Sequence, residues 1–487
     1  MAQLGELNVL SVAPSSVDRQ VIWAGTDDGQ LHLTRNGGKS WTDCTQRISG
    51  MPKEAWIARV IPSEYQAATA WAVVNNYRKG DYRPYLFRTN DYGVSWTNVV
   101  AADVKGYALS FIQDPVEPNL QFLGTENGLW ISSDDGANWQ AVRNGYPSVS
   151  TMDLKIQRRE SALVIGTFGR AIWVLDDLKS LREVAGKRVQ GQLTALPMND
   201  AVQVKGLFIA PPGNIWTGFH TTFEGENRVF QKTKIPFFLK EELAPKASVI
   251  ADVYDSSGAK INTVTRDSTH TGLQYLTWKL DEQAAALPGA WRDDESRGIP
   301  VLPGVYQIVV RAGDHADTTR VTVLTDPRFS LEPAVDEQLY AYQKAVDEQV
   351  ARLSSLLTGL DEKAEKLNKV LRYLKDIKEE EWAELPAAIE AMLTTIKTTR
   401  ALGQTPRPDR QLGAWQSYAL TAYAKISEAQ RKAMSRMTVP SGQDRETIDQ
   451  AKVLINGFGG EVEAFSRNDW RPFAAKLEKM ALLPLME

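Results

Sequence analysis

Thr34-Arg-Asn-Gly-Gly-Lys-Ser-Trp41, Thr89-Asn-Asp-Tyr-Gly-Val-Ser-Trp96 and Ser132-Ser-Asp-Asp-Gly-Ala-Asn-Trp139 are three copies of one octet with the pattern Ser/Thr-x-Asp/Asn-x-Gly-x-x-Trp. The pattern describes a hairpin corner. The side chain of Asn36, Asp91 or Asp134 accepts hydrogen bonds from turn amides, and Gly38, Gly93 or Gly136 supplies a positive φ. Trp41, Trp96 or Trp139 then folds back to pack between sheets. The hydroxyls of Thr34, Thr89 and Ser132 open each copy. Three copies at this separation predict structural staples of successive four-stranded sheets arranged about an axis, as in a β-propeller.

Around the first octet, strands are expected at 9–14, 21–26, 30–34 and from Trp41 onward. Ala24-Gly-Thr26, Leu123-Gly-Thr125 and Ile165-Gly-Thr167 each precede a tight turn, so a fourth unit is expected at about 150–183 without an octet of its own. The second unit instead carries a longer polar and aromatic loop, Tyr77-Arg-Lys-Gly-Asp-Tyr-Arg-Pro-Tyr85. Residues 184–246 lack clean periodicity and read as a linker with lead-in strands; they include the aromatic residues Trp216, Phe219, Phe223 and Phe230.

From 247 to 327 alternation returns, with a hairpin turn at Asp255-Ser-Ser-Gly258. An immunoglobulin-like β-sandwich is predicted there. From 328 to 487 the period lengthens: Leu339, Tyr342, Val346, Val350, Leu353, Leu357 and Leu360 form one apolar stripe, and similar stripes follow to Ile396. That region reads as an α-helical bundle interrupted at Thr405-Pro-Arg-Pro-Asp409. The fold class expected is therefore multi-domain, mainly β and then α: partial propeller blades at 1–183, linker at 184–246, sandwich at 247–327 and helices at 328–487.

With 487 residues the chain is too long for a single core. A net charge of -4, with Lys and Arg scattered, offers no electrostatic footprint for nucleic acid. No apolar run is long enough to be a transmembrane helix, and the start Met1-Ala-Gln-Leu-Gly-Glu6 lacks the basic stretch and apolar core of a signal peptide. The lone Cys44 rules out an internal disulfide and reads as a small buried hydrophobe. Neither a metal site nor a cofactor is expected: His32, His220, His270 and His315 are isolated, and no phosphate-cradling glycine loop occurs.

Glycoside hydrolysis needs two carboxylates across the scissile bond, or a tyrosine nucleophile with an arginine cluster. Asp27, Asp28, Asp81 and Glu126 are the acidic loop residues that could supply the first, but their spacing selects no pair. A binding surface is the better reading of Tyr77, Arg78, Asp81, Tyr82, Arg83 and Tyr85, joined by Arg170, because Tyr and Arg dominate interaction hot spots.

The octets, together with Gly166-Thr-Phe-Gly-Arg-Ala-Ile-Trp-Val-Leu-Asp-Asp177, Gly272-Leu-Gln-Tyr-Leu-Thr-Trp278 and Pro303-Gly-Val-Tyr306, resemble the BNR/Asp-box, sortilin (VPS10)-like propeller family of large bacterial proteins often labelled glycosyl hydrolase. The match is to the C-terminal half of that architecture. Phe168 stands where the family commonly has His, so any chemistry of that His is not expected here. The resemblance implies a secreted, periplasmic or cell-surface location. It also implies a protein partner or missing propeller blades, with a glycan as the other ligand class. The function expected is binding and assembly within a larger complex or split protein. The alternative is a carbohydrate-active hydrolase, sialidase-like or propeller endoglucanase-like, whose catalytic part lies upstream or on a partner.

Overall fold

Alternating apolar residues draw the first part of the chain into antiparallel meanders. Blade 1 joins β1 (Val9–Pro14), β2 (Ile22–Thr26), β3 (Leu31–Thr34) and β4 (Thr42–Asp43). Blade 2 joins β5 (Trp56–Pro62), β6 (Ala70–Asn76), β7 (Asp81–Thr89) and β8 (Thr97–Asn98). Blade 3 joins β9 (Ala108–Gln113), β10 (Gln121–Thr125), β11 (Gly128–Ser132) and β12 (Gln140–Ala141). Blade 4 has three strands, β13 (Thr151–Gln157), β14 (Ala162–Thr167) and β15 (Ile172–Leu175), followed by α1 (Leu178–Ala185). This computed structural model describes residues 8–143, 145–203, 233–244, 247–267, 270–288, 298–325, 332–374, 382–404, 421–436 and 438–480. The aromatic residues from Trp216 to Phe230, His220 and the 405–409 interruption lie outside them.

The blades share one register. Val12 pairs with Ala24, Val60 with Ala72, Phe111 with Leu123 and Leu154 with Ile165. That equivalence makes each blade an internal control for the others.

Each octet closes in the same way. The first-position hydroxyl accepts the glycine N–H at 2.9 Å in all three copies, Thr34 from Gly38, Thr89 from Gly93 and Ser132 from Gly136. That hydroxyl donates to Oδ1 of Asn36, Asp91 or Asp134, which also accepts the N–H of Ser40, Ser95 or Asn138 at 2.8–2.9 Å. Gly37, Tyr92 and Asp135 take positive φ, and their N–H groups bond to Gln20, Ala68 and Asn119 in the turn between the first two strands. The octet is thus tied to the opposite hairpin of its own blade.

The tryptophan reaches back to the preceding blade. Trp96 meets Trp23 edge-on at 5.7 Å, and Trp139 packs with Trp71 and Phe111 and donates its indole N–H to the Val99 carbonyl at 3.0 Å. Cys44 is buried in the interface between blades 1 and 2. Trp41 departs from the expectation: it is exposed, because among the described residues no sheet packs on its side of blade 1.

α1 was not legible in the sequence, where eight residues are too few to show a period. Asp177 caps it, accepting the Ser180 N–H at 3.1 Å. Its buried Arg182 forms a two-pronged pair with the fully buried Asp114 of blade 3 at 2.9–3.1 Å and donates to Ser161 of blade 4.

Two further sheets share one core that includes Phe237, Val253, Leu276, Trp278 and Ile308. One sheet is ordered β16 (Leu193–Ala195), β18 (Thr233–Leu239), β21 (Gly272–Trp278); the other is β17 (Ala201–Gln203), β25 (His315–Thr325), β24 (Gly304–Ala312), β19 (Ser248–Tyr254), β20 (Lys260–Asp267). A short pair, β22 (Asp281–Glu282) and β23 (Ile299–Pro300), follows β21. Segments expected to be linker and lead-in thus supply β16, β17 and β18 to the sandwich sheets. Their short runs gain partners only in three dimensions, β17 by pairing parallel with β25.

The helical region contains α2 (Pro333–Leu374), α3 (Leu385–Gly403), α4 (Ala422–Ser435), α5 (Gly442–Phe465) and α6 (Arg471–Lys479). Every residue of the stripe from Leu339 to Leu360 is buried, and α2 continues through Leu367, Val370 and Leu374 on the same face.

Candidate functional site

In an antiparallel meander the turn between strands two and three lies at the end opposite the turn between strands one and two. The octets bond to the latter, so Asp27 and Asp28, the Tyr77–Lys79 turn, Glu126 and the Phe168–Arg170 turn all lie at the other end of the blades. Blade 2 forms the most elaborate of these turns. A 3-10 turn, Tyr77–Lys79, stops at Gly80 in the left-handed region, and β7 begins at once with Asp81.

Asp81 organises the base of this loop. It accepts Arg83 Nε at 2.9 Å on one oxygen and Arg83 Nη2 at 2.9 Å and the Tyr85 hydroxyl at 2.8 Å on the other. The Arg83 bonds hold the Asp81 carboxyl well below the usual range. Burial, and then the bond to Asp81, push the Tyr85 hydroxyl up to about 12. Asp81 is a permanent acceptor that positions Arg83, whose guanidinium faces water.

Above it, three chain segments meet. The Tyr77 ring stacks on Tyr107 at 4.4 Å and 18°, and the exposed Tyr82 leans on Tyr107 at 6.2 Å. The Arg78 guanidinium lies over the Trp56 ring at 3.2 Å and beside Tyr77 at 4.5 Å. Trp56 begins β5, and Tyr107 ends the link from blade 2 to blade 3. Neither was legible as a site residue, because each stands far from the loop in sequence. An aromatic residue at the start of a blade's first strand, or just before it, was the available signal.

The other predicted residues are dispersed. Asp27 accepts both the backbone and the side-chain N–H of Asn8, which hold its carboxyl below the ordinary value. Asp28 binds the Thr26 hydroxyl and the Gln30 amide. Glu126 donates its backbone N–H to the Tyr107 carbonyl, next to the aromatic cluster. Arg170 is exposed on blade 4, where its carbonyl accepts the Trp173 indole N–H at 2.7 Å. What converges is therefore an aromatic and guanidinium surface, made by Trp56, Tyr77, Arg78, Tyr82 and Tyr107.

No family model matches the sequence, and no curated protein matches it. Solved structures do resemble the chain. YCF48 from Cyanidioschyzon merolae is 15% identical, with 36% of this chain and 54% of that chain covered, at a TM-score of 0.27. A structure described as YCF48 bound to D1 peptide is 19% identical over 35% of this chain and 51% of that one, at 0.27. The GH74 xyloglucanase from Xanthomonas campestris is 13% identical over 65% and 45% of the two chains, at 0.30. The chain thus spans about half the length of each. These neighbours are propeller proteins that include a peptide-bound structure and a hydrolase, and at such similarity they carry no argument about activity.

Proposed function

We propose that this chain is an exported or envelope-associated binding and assembly protein that recognises a protein partner through the loop end of blades 2 and 3. The observation that carries it is the Tyr77–Tyr107 stack with Arg78 laid across Trp56. Four aromatic rings and a guanidinium edge, held by three separate segments, form a preformed surface that loses little side-chain entropy on binding. An acidic or aromatic side chain of a partner suits it, the guanidinium supplying donors and Tyr82 a free ring face. The likeness of the octets to the Asp-box family supports the location.

A hydrolytic reading needs a carboxyl kept protonated as a general acid. Asp27 and Asp81 are instead held ionised by their hydrogen bonds. The purified chain, applied to an array of acidic and aromatic peptides and to a panel of sialosides and β-glucans, separates the two readings. Peptide binding weakened ~10-fold or more by Tyr107→Ala or Arg78→Ala is expected. Product release from a glycan that disappears when Asp28 or Glu126 is replaced by Ala would establish the hydrolase instead.

A further inference from the structure

The four blades bury the same positions, with one systematic exception at each end of the series. On the leading side, Val12 is the register equivalent of Val60, Phe111 and Leu154. Those three are 4%, 4% and 3% exposed, each packed under the blade before it, whereas Val12 is 66% exposed. Trp41 is 46% exposed where Trp96 and Trp139 are 7% and 4%. A methyl group built on Gly93 would strike Cys44 and Trp23 of blade 1, while one built on Gly38 would meet nothing within 4 Å.

The trailing side of blade 4 shows the complementary gap. Ile172 occupies the register position of Leu31, Leu86 and Leu129, which are buried against the blade that follows them; Ile172 is 71% exposed. A methyl group on Gly25 would lie 2.6 Å from Ile57 of blade 2, and one on Gly124 would lie 2.7 Å from the Thr151 methyl of blade 4. The equivalent Gly166 has only its own Asp153 nearby, at 3.6 Å.

We propose that the leading face of blade 1 receives the trailing face of blade 4 from a second copy of this chain, so that two copies close one ring of eight blades. The argument is continuity with an interface the chain already makes three times. A leading face of this kind packs against a trailing face, and blade 4 carries the trailing face left open among the described residues. Two such contacts related by a two-fold axis leave no edge uncovered, and eight blades is a common ring size. Register then specifies the contact: Val9 and Val12 of one copy pack over Gly166 and Ile172 of the other, with Trp41 against the Val164 position, the equivalent of Trp23 and Trp71. This names the partner for the assembly part of the function proposed above. Its failure would leave the Trp56–Tyr107 surface untouched, because that surface is tested by peptide binding and this one by mass.

Sedimentation velocity of the full chain over a concentration series tests it. A dimer of the 54.2 kDa chain is expected. Val12→Asp and Gly166→Leu, neither of which meets another blade of its own chain, are expected to weaken self-association ~10-fold or more while leaving the circular dichroism of the folded chain unchanged. A monomer at every concentration overturns the proposal. A dimer insensitive to both substitutions also overturns it, by placing the contact on another face.

Discussion

Asp91 and Asn36 occupy the same octet position and use the same oxygen for the same two donors. The second atom differs: Asn36 Nδ2 donates to the Ser40 hydroxyl at 2.8 Å, while Asp91 Oδ2 accepts the Ser95 hydroxyl at 2.6 Å. Because a hydroxyl can serve either way, Asp91→Asn is expected to be nearly neutral, and Asp91→Ala to cost about 1 kcal/mol in chemical denaturation. The two also differ in pH response. The Ser95 hydroxyl and then its N–H hold the Asp91 carboxyl at about 2, below its ordinary 3.8. The stability this contributes is full above pH 4 and is lost as pH falls from about 4 to about 2. Asp91→Asn should flatten the acid limb of a stability profile in that window, read by fluorescence of the buried Trp96. A limb unchanged by the substitution would assign the acid sensitivity to other carboxylates.

Among elements, α1 depends on one buried ion pair. Asp114 accepts Arg182 on both oxygens and also the N–H groups of Val116 and Glu117, so its charge is fully enclosed. Removing one partner strands the other, and Arg182→Ala is expected to destabilise the protein by about 3–5 kcal/mol, measured by urea unfolding. Replacing both by apolar residues should recover much of that loss, which distinguishes a stranded charge from a lost contact. The helical stripe and the blade strands could be read from their periods because their burial repeats at helical and strand spacing. The short β16 and β17 strands and α1 could not, since they take their form from pairing with the distant strands β18 and β25 or from a charge on another blade.

Across the whole molecule, the sandwich and α2 are joined at Glu282, which accepts the Tyr340 hydroxyl and pairs with Lys344 at 2.8 Å, while the Ala285 N–H donates to Asp347 at 2.9 Å. Glu282→Ala is expected to cost about 1.5–3 kcal/mol and to bring forward cleavage between sandwich and helices in limited proteolysis. A cleavage pattern identical to that of the wild type would show that the Glu282 contacts are not what holds the two together. Three octets carry their own hydrogen-bond donors, acceptors and left-handed backbone positions within eight residues, so the blades were local information and stood in the sequence. The long alternations and heptad-like stripes likewise stated which residues would be inside. The aromatic and guanidinium surface was half legible, since Tyr77, Arg78 and Tyr82 stand in one loop, but Trp56 and Tyr107 joined them only when strand pairing brought three segments together. The exposure of Trp41 and Val12 was the least legible of all. Whether a repeated residue is buried depends on the sheet beside it, and only the tertiary arrangement says which blade face is left uncovered among the described residues.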